Sequence, residues 1–145
     1  MQNMILGDST AVEVPDSLDA RVEHDGTLVA TPRGVDHPEL RLSVLTLHRS
    51  DMPVKGAGIQ FVTEKAQGLR VPLHTDGAAS WYTSTEVPSD APPGSEAQSW
   101  IVGMGHHVLI ASLALAEGEA DATGAAVIRE CVVQIIRSFM STEAA

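Results

Sequence analysis

Cysteine occurs once in this chain, at position 131, so no intrachain disulfide can form and nothing points to an oxidising compartment. Aromatic residues make up only 3% of the sequence, which leaves Val, Ile, Leu and Ala to fill an interior. Basic side chains are scarce as well: nine of them against nineteen acidic ones leave a formal net charge of -10. Charge of that sign repels phosphate backbones and anionic lipid, so neither nucleic acid nor a membrane surface is expected as a partner. It suits solubility, and it equally suits a surface complementary to a basic protein. No apolar run approaches the roughly 18 to 20 residues that span a bilayer. The amino-terminal MQNMILGDST has neither the basic region nor the long apolar segment of a secretory signal. The expectation is a soluble, cytoplasmic protein.

The motifs that usually announce chemistry are also missing. Six histidines occur, His106-His107 being the one close pair, and no CxxC, HxxxH or HExxH accompanies them. Neighbours on a strand point to opposite faces, so this pair is expected to diverge and to make a poor metal site. Gly56-Ala57-Gly58 precedes a predicted helix, but Phe61 stands where a dinucleotide fingerprint needs its third glycine, and a connection between layers is the better reading. No GxxxxGK[ST] occurs. Ser80 lies in GAASW and not in GxSxG, and Cys131 falls on an apolar helical stripe, where a thiol behaves as a small hydrophobe. Glu117 and Glu119 read as a solvated helix start. No residue is assigned a catalytic or metal-binding role, and no cofactor is expected.

What is present is the composition of an ordinary globular domain, 43% hydrophobic and 19% charged over 145 residues. That length supports one domain, residues 1–145, burying about two-thirds of its unfolded surface. Residues 10–14 alternate and stop at Pro15-Asp16-Ser17, a short strand and a turn. Asp25-Gly26 separates two further apolar runs and predicts a hairpin. The clearest period of two runs over residues 40–48, with Leu40, Leu42 and Val44 on one face, a central strand covered in part on both sides. Ile59, Val62, Ala66 and Leu69 recur at helical spacing, with Gly68 weakening the end of that helix.

Residues 71–73 read as a short strand before a turn at His74-Thr75-Asp76-Gly77. Residues 80–87, SWYTSTEV, read as a strand, and the three prolines of residues 88–94 make an exposed loop. Residues 96–102 then pair with 107–116 across Gly103-Met104-Gly105-His106, a reversal rich enough in glycine to supply positive φ angles. Both faces of the second strand are apolar, so each needs its own cover and this hairpin belongs at the middle of the sheet. Asp121 or Thr123 caps a closing helix whose Ile128, Val132, Ile135, Ile136 and Phe139 form its buried stripe. Arg137 complements its dipole, and the last five residues are expected to fray. The fold class is α+β: an antiparallel sheet of about six to seven strands sandwiched by helices, with a long C-terminal helix.

Trp81 and Tyr82 are adjacent on one strand and must face opposite sides. Core placement is favoured for Trp81 and Trp100, whereas Tyr82 is balanced between core and surface. An aromatic on an open face is an interaction anchor. Tyr82, Trp81 and His106 are therefore the candidate binding residues.

The order of elements, a meander through VEVPDSLDARVEHDGTLVATPRG and ELRLSVLTLHR, a helix around IQFVTEKAQ, three strands and a helix carrying VIRECVVQIIRSF, resembles the Mog1/PsbP-like fold. VEVPDSL and the terminal IIRSF are similar to the opening and closing segments of small bacterial proteins of the DcrB/DUF1795 type. The resemblance implies an antiparallel sheet between helices. It also implies a non-enzymatic protein-binding module, a cytoplasmic adaptor or chaperone that holds the apolar segment of a secreted effector, as in type VI secretion. Lipoprotein members carry a lipobox cysteine that is missing here. The implied partner is another protein, basic or with an apolar segment, or a second copy in a homodimer. Two alternatives stand beside it: an immunity protein neutralising a basic toxin, and a small enzyme or ligand-binding protein using His106, His107 or His74 with nearby carboxylates.

Overall fold

The structure, a computed structural model, describes residues 1–7, 10–47, 56–119 and 122–144. Strands β1 (Gln2–Leu6) and β2 (Thr10–Val14) form a hairpin of their own. β3 (Leu18–Val22), β4 (Leu28–Pro32), β5 (Glu39–Thr46), β6 (His74–Asp76), β7 (Ala79–Glu86), β8 (Glu96–Met104) and β9 (His107–Leu115) make one antiparallel sheet in the order β3-β4-β5-β9-β8-β7-β6. Helix α1 (Ala57–Leu69) packs on one face and α2 (Thr123–Ala144) on the other. The fold is α+β with a long closing helix, and β9, the strand apolar on both sides, is fourth of the seven.

Alternation sorts the side chains between two cores. Leu28, Leu40, Leu42, Leu109 and Leu113 meet Ile128, Val132, Ile135 and Phe139 of α2, and the β1–β2 hairpin adds Leu6, Val12 and Val14 to the same layer. Cys131 is buried there, its Sγ 3.3 Å from Ser17 Oγ. The other face is thinner: Val62 and Ala66 of α1 cover Tyr82, Ile101 and Val108. Beyond α1 that face turns polar, and Arg41 pairs with Glu39 at 2.7 Å and Glu23 at 3.1 Å.

Two glycines let α1 approach this closely. Gly58 N donates to the Gly105 carbonyl at 2.8 Å, so the helix begins by hydrogen-bonding to the turn beneath it. A Cβ on Gly103 would press on the Gly58 carbonyl, 2.6 Å from its carbon and 2.8 Å from Val62 Cγ2. Gly58 is thus a packing residue, which is the physical content of the Gly56-Ala57-Gly58 sequence.

Several expectations are corrected. Residues 2–6, left unassigned by the sequence, form β1, because Met4 and Leu6 point to the core while Asn3 and Ile5 face solvent. Residues 71–73 are not a strand; pairing starts at His74, after Pro72, which has no N–H to donate, and the turn falls at Gly77 (φ +61°) instead. Gly103 and Met104 belong to β8, leaving Gly105 and His106 as a two-residue reversal. α2 runs through Ala144, so Arg137 lies well inside it and not in the last turn. The proposed cap Asp121 and most of the connection from residue 49 to 58 lie outside the described residues.

Gly103→Ala should cost about 1 to 3 kcal/mol, because the Gly58 backbone and the Val62 side chain already occupy the space of the added carbon. Gly68→Ala, with nothing within 4 Å of the new Cβ, should stabilise by about 0.5 to 1 kcal/mol through helix propensity. Thermal unfolding of the two variants should therefore shift Tm in opposite directions. Equal shifts would reject the close helix-to-sheet contact.

Candidate binding cleft

The register of β7 and β8 decides which aromatics meet. Trp81 lies opposite Val102 and Thr83 opposite Trp100, which puts Trp81, Thr83 and Trp100 on the α2 face. His74 lies opposite Trp81, and β6 carries His74 and Asp76 to the same face. Across from them α2 presents Val133, Ile136, Arg137 and Met140. The space between is a cleft of about 440 Å³. Both tryptophans of the chain line it, partly buried, with their inner edges on the main core.

The floor is apolar and the rim is polar. His74 stacks on Trp81, ring centroids 4.3 Å apart and 24° from parallel, which extends the aromatic platform toward solvent. Asp76 and Arg137 put one charge of each sign on the rim. A neighbouring hollow of about 210 Å³ runs along β7 over Thr83, Ser84, Thr85, Gln98, Ser99 and Trp100, sharing Thr83 and Trp100 with the cleft. A hollow of about 490 Å³ beside α1 has one helix for its wall, lined by Phe61, Glu64, Lys65, Gly68 and Leu69, and gathers no comparable chemistry.

Of the candidate binding residues, Trp81 reaches the cleft and the other two do not. Tyr82 points the other way into the core beneath α1, 4% exposed. His106 sits in the β8–β9 reversal, where its carbonyl accepts from Leu47 N at 2.8 Å. The His106 and His107 rings do not diverge: their centroids are 4.0 Å apart and tilted by 38°. His106 is a turn residue, so strand alternation does not govern it. Among the described residues no group of three His, Cys, Asp or Glu side chains is placed to hold a metal ion. His74 was named only for the enzymatic or ligand-binding alternative, and Asp76 and the α2 wall were missed; Val133 and Met140 flank the buried stripe of α2, and that extra width was the wall's only signal.

No family model matches this chain. No curated protein matches it either. A solved structure from Bacteroides thetaiotaomicron VPI-5482 is similar, with a TM-score of 0.67 and 14% sequence identity over 94% of this chain and 47% of that one. This chain therefore spans about half the length of that protein, and at such identity the likeness is one of fold. No helix among the described residues is long and apolar enough to cross a membrane.

Burial lifts the Tyr82 hydroxyl above its ordinary pKa of 10.0, and Glu86 adds repulsion against the phenolate. A group that holds its proton more tightly when folded lends stability that is complete below its unfolded pKa and is lost as pH rises through the folded value. Tyr82 is the single tyrosine, so phenolate absorbance reports it alone. Its midpoint should lie above that of the unfolded chain, and Glu86→Gln should remove only the smaller part of the difference. A native midpoint at or below the unfolded one would place Tyr82 in water and overturn its position in the core.

Proposed function

We propose that this chain is a non-enzymatic protein-binding module, a cytoplasmic adaptor or chaperone, and that the cleft between α2 and the β6–β8 edge holds its partner. The carrying observation is that both tryptophans line one cleft with an apolar floor and a charge of each sign on the rim. Large aromatics at the margin of a core are the side chains that dominate protein recognition, since each offers a wide apolar face at little entropic cost.

The chemistry around the cleft supports binding over catalysis. His74 is stacked on Trp81 and no hydrogen bond among the described residues links it to a carboxylate or to a nucleophile, as a base and its orienting partner would require. The resemblance to Mog1/PsbP-like adaptors of the DcrB/DUF1795 type supports an apolar segment as the thing held. The net charge of -10 supports a basic partner, and it equally favours a second reading, an immunity protein that blocks a basic toxin.

The test is capture by the tagged chain from its own host, followed by titration of the purified partner while tryptophan emission is recorded. Trp81→Ala and Trp100→Ala should each weaken binding by about tenfold or more, with far-ultraviolet circular dichroism unchanged. Arg41→Ala, on the opposite face, should bind normally. A partner held equally well by the Trp81→Ala, Trp100→Ala double variant would overturn the assignment of the cleft, and turnover of a partner or metabolite that depends on His74 would overturn the non-enzymatic reading.

A further inference from the structure

β6 is shorter than the strand it lies beside. It pairs His74 with Trp81, Thr75 with Ser80 and Asp76 with Ala79, and there it ends. β7 continues for five more residues, 82–86, paired with β8 on one side. Among the described residues no strand occupies the other side. Continuing the register would place Pro72 opposite Thr83, and a proline cannot donate to the ladder, so the chain's own sequence ends the row at that point. What remains is about 17 Å of strand edge, along which every second residue turns its N–H and C=O outward. Thr83, Thr85 and Glu86 are exposed there. The edge forms one lip of the tryptophan cleft, and the hollow over Thr83 and Trp100 follows it.

We propose that an extended segment of a partner protein adds to the sheet along residues 82–86 of β7, in the row that β6 leaves vacant. It sets alternate apolar side chains against Trp81 and Trp100 and basic side chains beside Glu86. This rests on the cleft being the binding site, and it names the binding mode and the chemistry of the ligand. The alternation follows from the pleat, because an added strand takes the same two faces as β7. On the α2 face its side chains meet Thr83, Trp81 and Trp100. On the opposite face they meet the row of Tyr82, Ser84 and Glu86, whose outermost group is an exposed carboxylate.

Charge selects the occupant. On the α2 face Asp76, Arg137 and Arg129, whose Nε donates to Gln98 Oε1 at 2.8 Å, mix both signs, so the charge that distinguishes the edge is Glu86 on the opposite face. A second copy of this chain would bring another net charge of -10 and another Glu86 to the same seam. A basic strand gains where a second copy loses.

A short capped peptide alternating valine and lysine is the probe, titrated into the full chain with tryptophan emission as the readout. Binding should saturate, and a peptide of the same composition with its valines and lysines in separate blocks should bind about tenfold more weakly. N-methylation of one alternate set of amides should weaken binding by about tenfold, while methylation of the other set, which faces away, should change it by less than about twofold. Glu86→Lys, at an exposed position, should lower affinity by about tenfold without unfolding the chain. If Trp100→Ala abolishes binding but neither methylated set matters, the cleft binds without the edge: this inference falls and the adaptor reading stands. A bound peptide that turns helical, or no change in emission at any concentration, also overturns it. So does self-association of the protein alone that strengthens in Glu86→Lys, which would assign the edge to a second copy.

Discussion

The sheet is wider than the elements available to cover it, and most of what is distinctive here follows from that shortfall. Seven strands at about 4.8 Å spacing put the outermost ones about 29 Å apart, while a helix with its side chains is about 10 Å across. On the thicker face, the β1–β2 hairpin and α2 lie side by side, β1 touching β3 and β5, and α2 touching β4, β9 and β8. That cover reaches Ala79 at the start of β7 and ends short of Thr83 and of β6, whose three residues are exposed. Trp81 and Trp100 stand at the margin, packed against the core with one edge and open to the cleft with the other. The cleft is therefore the place where the second layer stops.

Among the described residues the opposite face has a single helix and spends it differently. Because Gly58 and Gly103 bring backbone to backbone, α1 sits close over β7, β8 and β9 and leaves the β3–β5 half of its face to Arg41, Glu39 and Glu23. The two layers are thus offset across the sheet. β9 is covered by both, which is why apolar residues dominate both of its faces, with Ser112 and the exposed Ala114 falling opposite Arg41 and Glu39 where α1 does not reach. β7 is covered by α1 at Tyr82, whereas on its other face the α2-side core buries Ala79 and leaves Thr83 exposed, so Tyr82 is core while its neighbour Trp81 borders the cleft. Their separate fates come from the offset of the layers.

This explains which features the sequence carried plainly. Period-two runs at residues 40–48 and around the Gly105-His106 reversal reported a strand's own two faces, and the order of elements followed from them. The α2 stripe from Ile128 to Phe139 was equally legible, since a helix needs only one buried face to be recognised. The cleft was not legible, because it depends on where covers end. Trp81 and Trp100 are nineteen positions apart, and only the register of β7 against β8 brings them to one face. β6 was hidden because His74-Thr75-Asp76 has no buried residue and so no hydrophobic period, while His106 was misread because a turn of two residues replaced a turn of four.

An open edge on a sheet is ordinarily a liability, since unpaired amides recruit any exposed strand, a second copy included. The segment that carries this one limits that risk locally. Glu86 charges its end, Pro88 prevents its extension, and the high acidity of the whole chain repels another copy of itself. None of these devices, and no strand among the described residues, closes the row beside residues 82–86; each discriminates by charge or length instead. A sheet protected only against aggregation would have had its edge shortened or covered, for instance by a β6 two or three residues longer. The proline that keeps β6 short also keeps the row beside Trp81 and Trp100 vacant, so one residue both ends the chain's own pairing and leaves backbone groups available next to the largest apolar side chains of the fold.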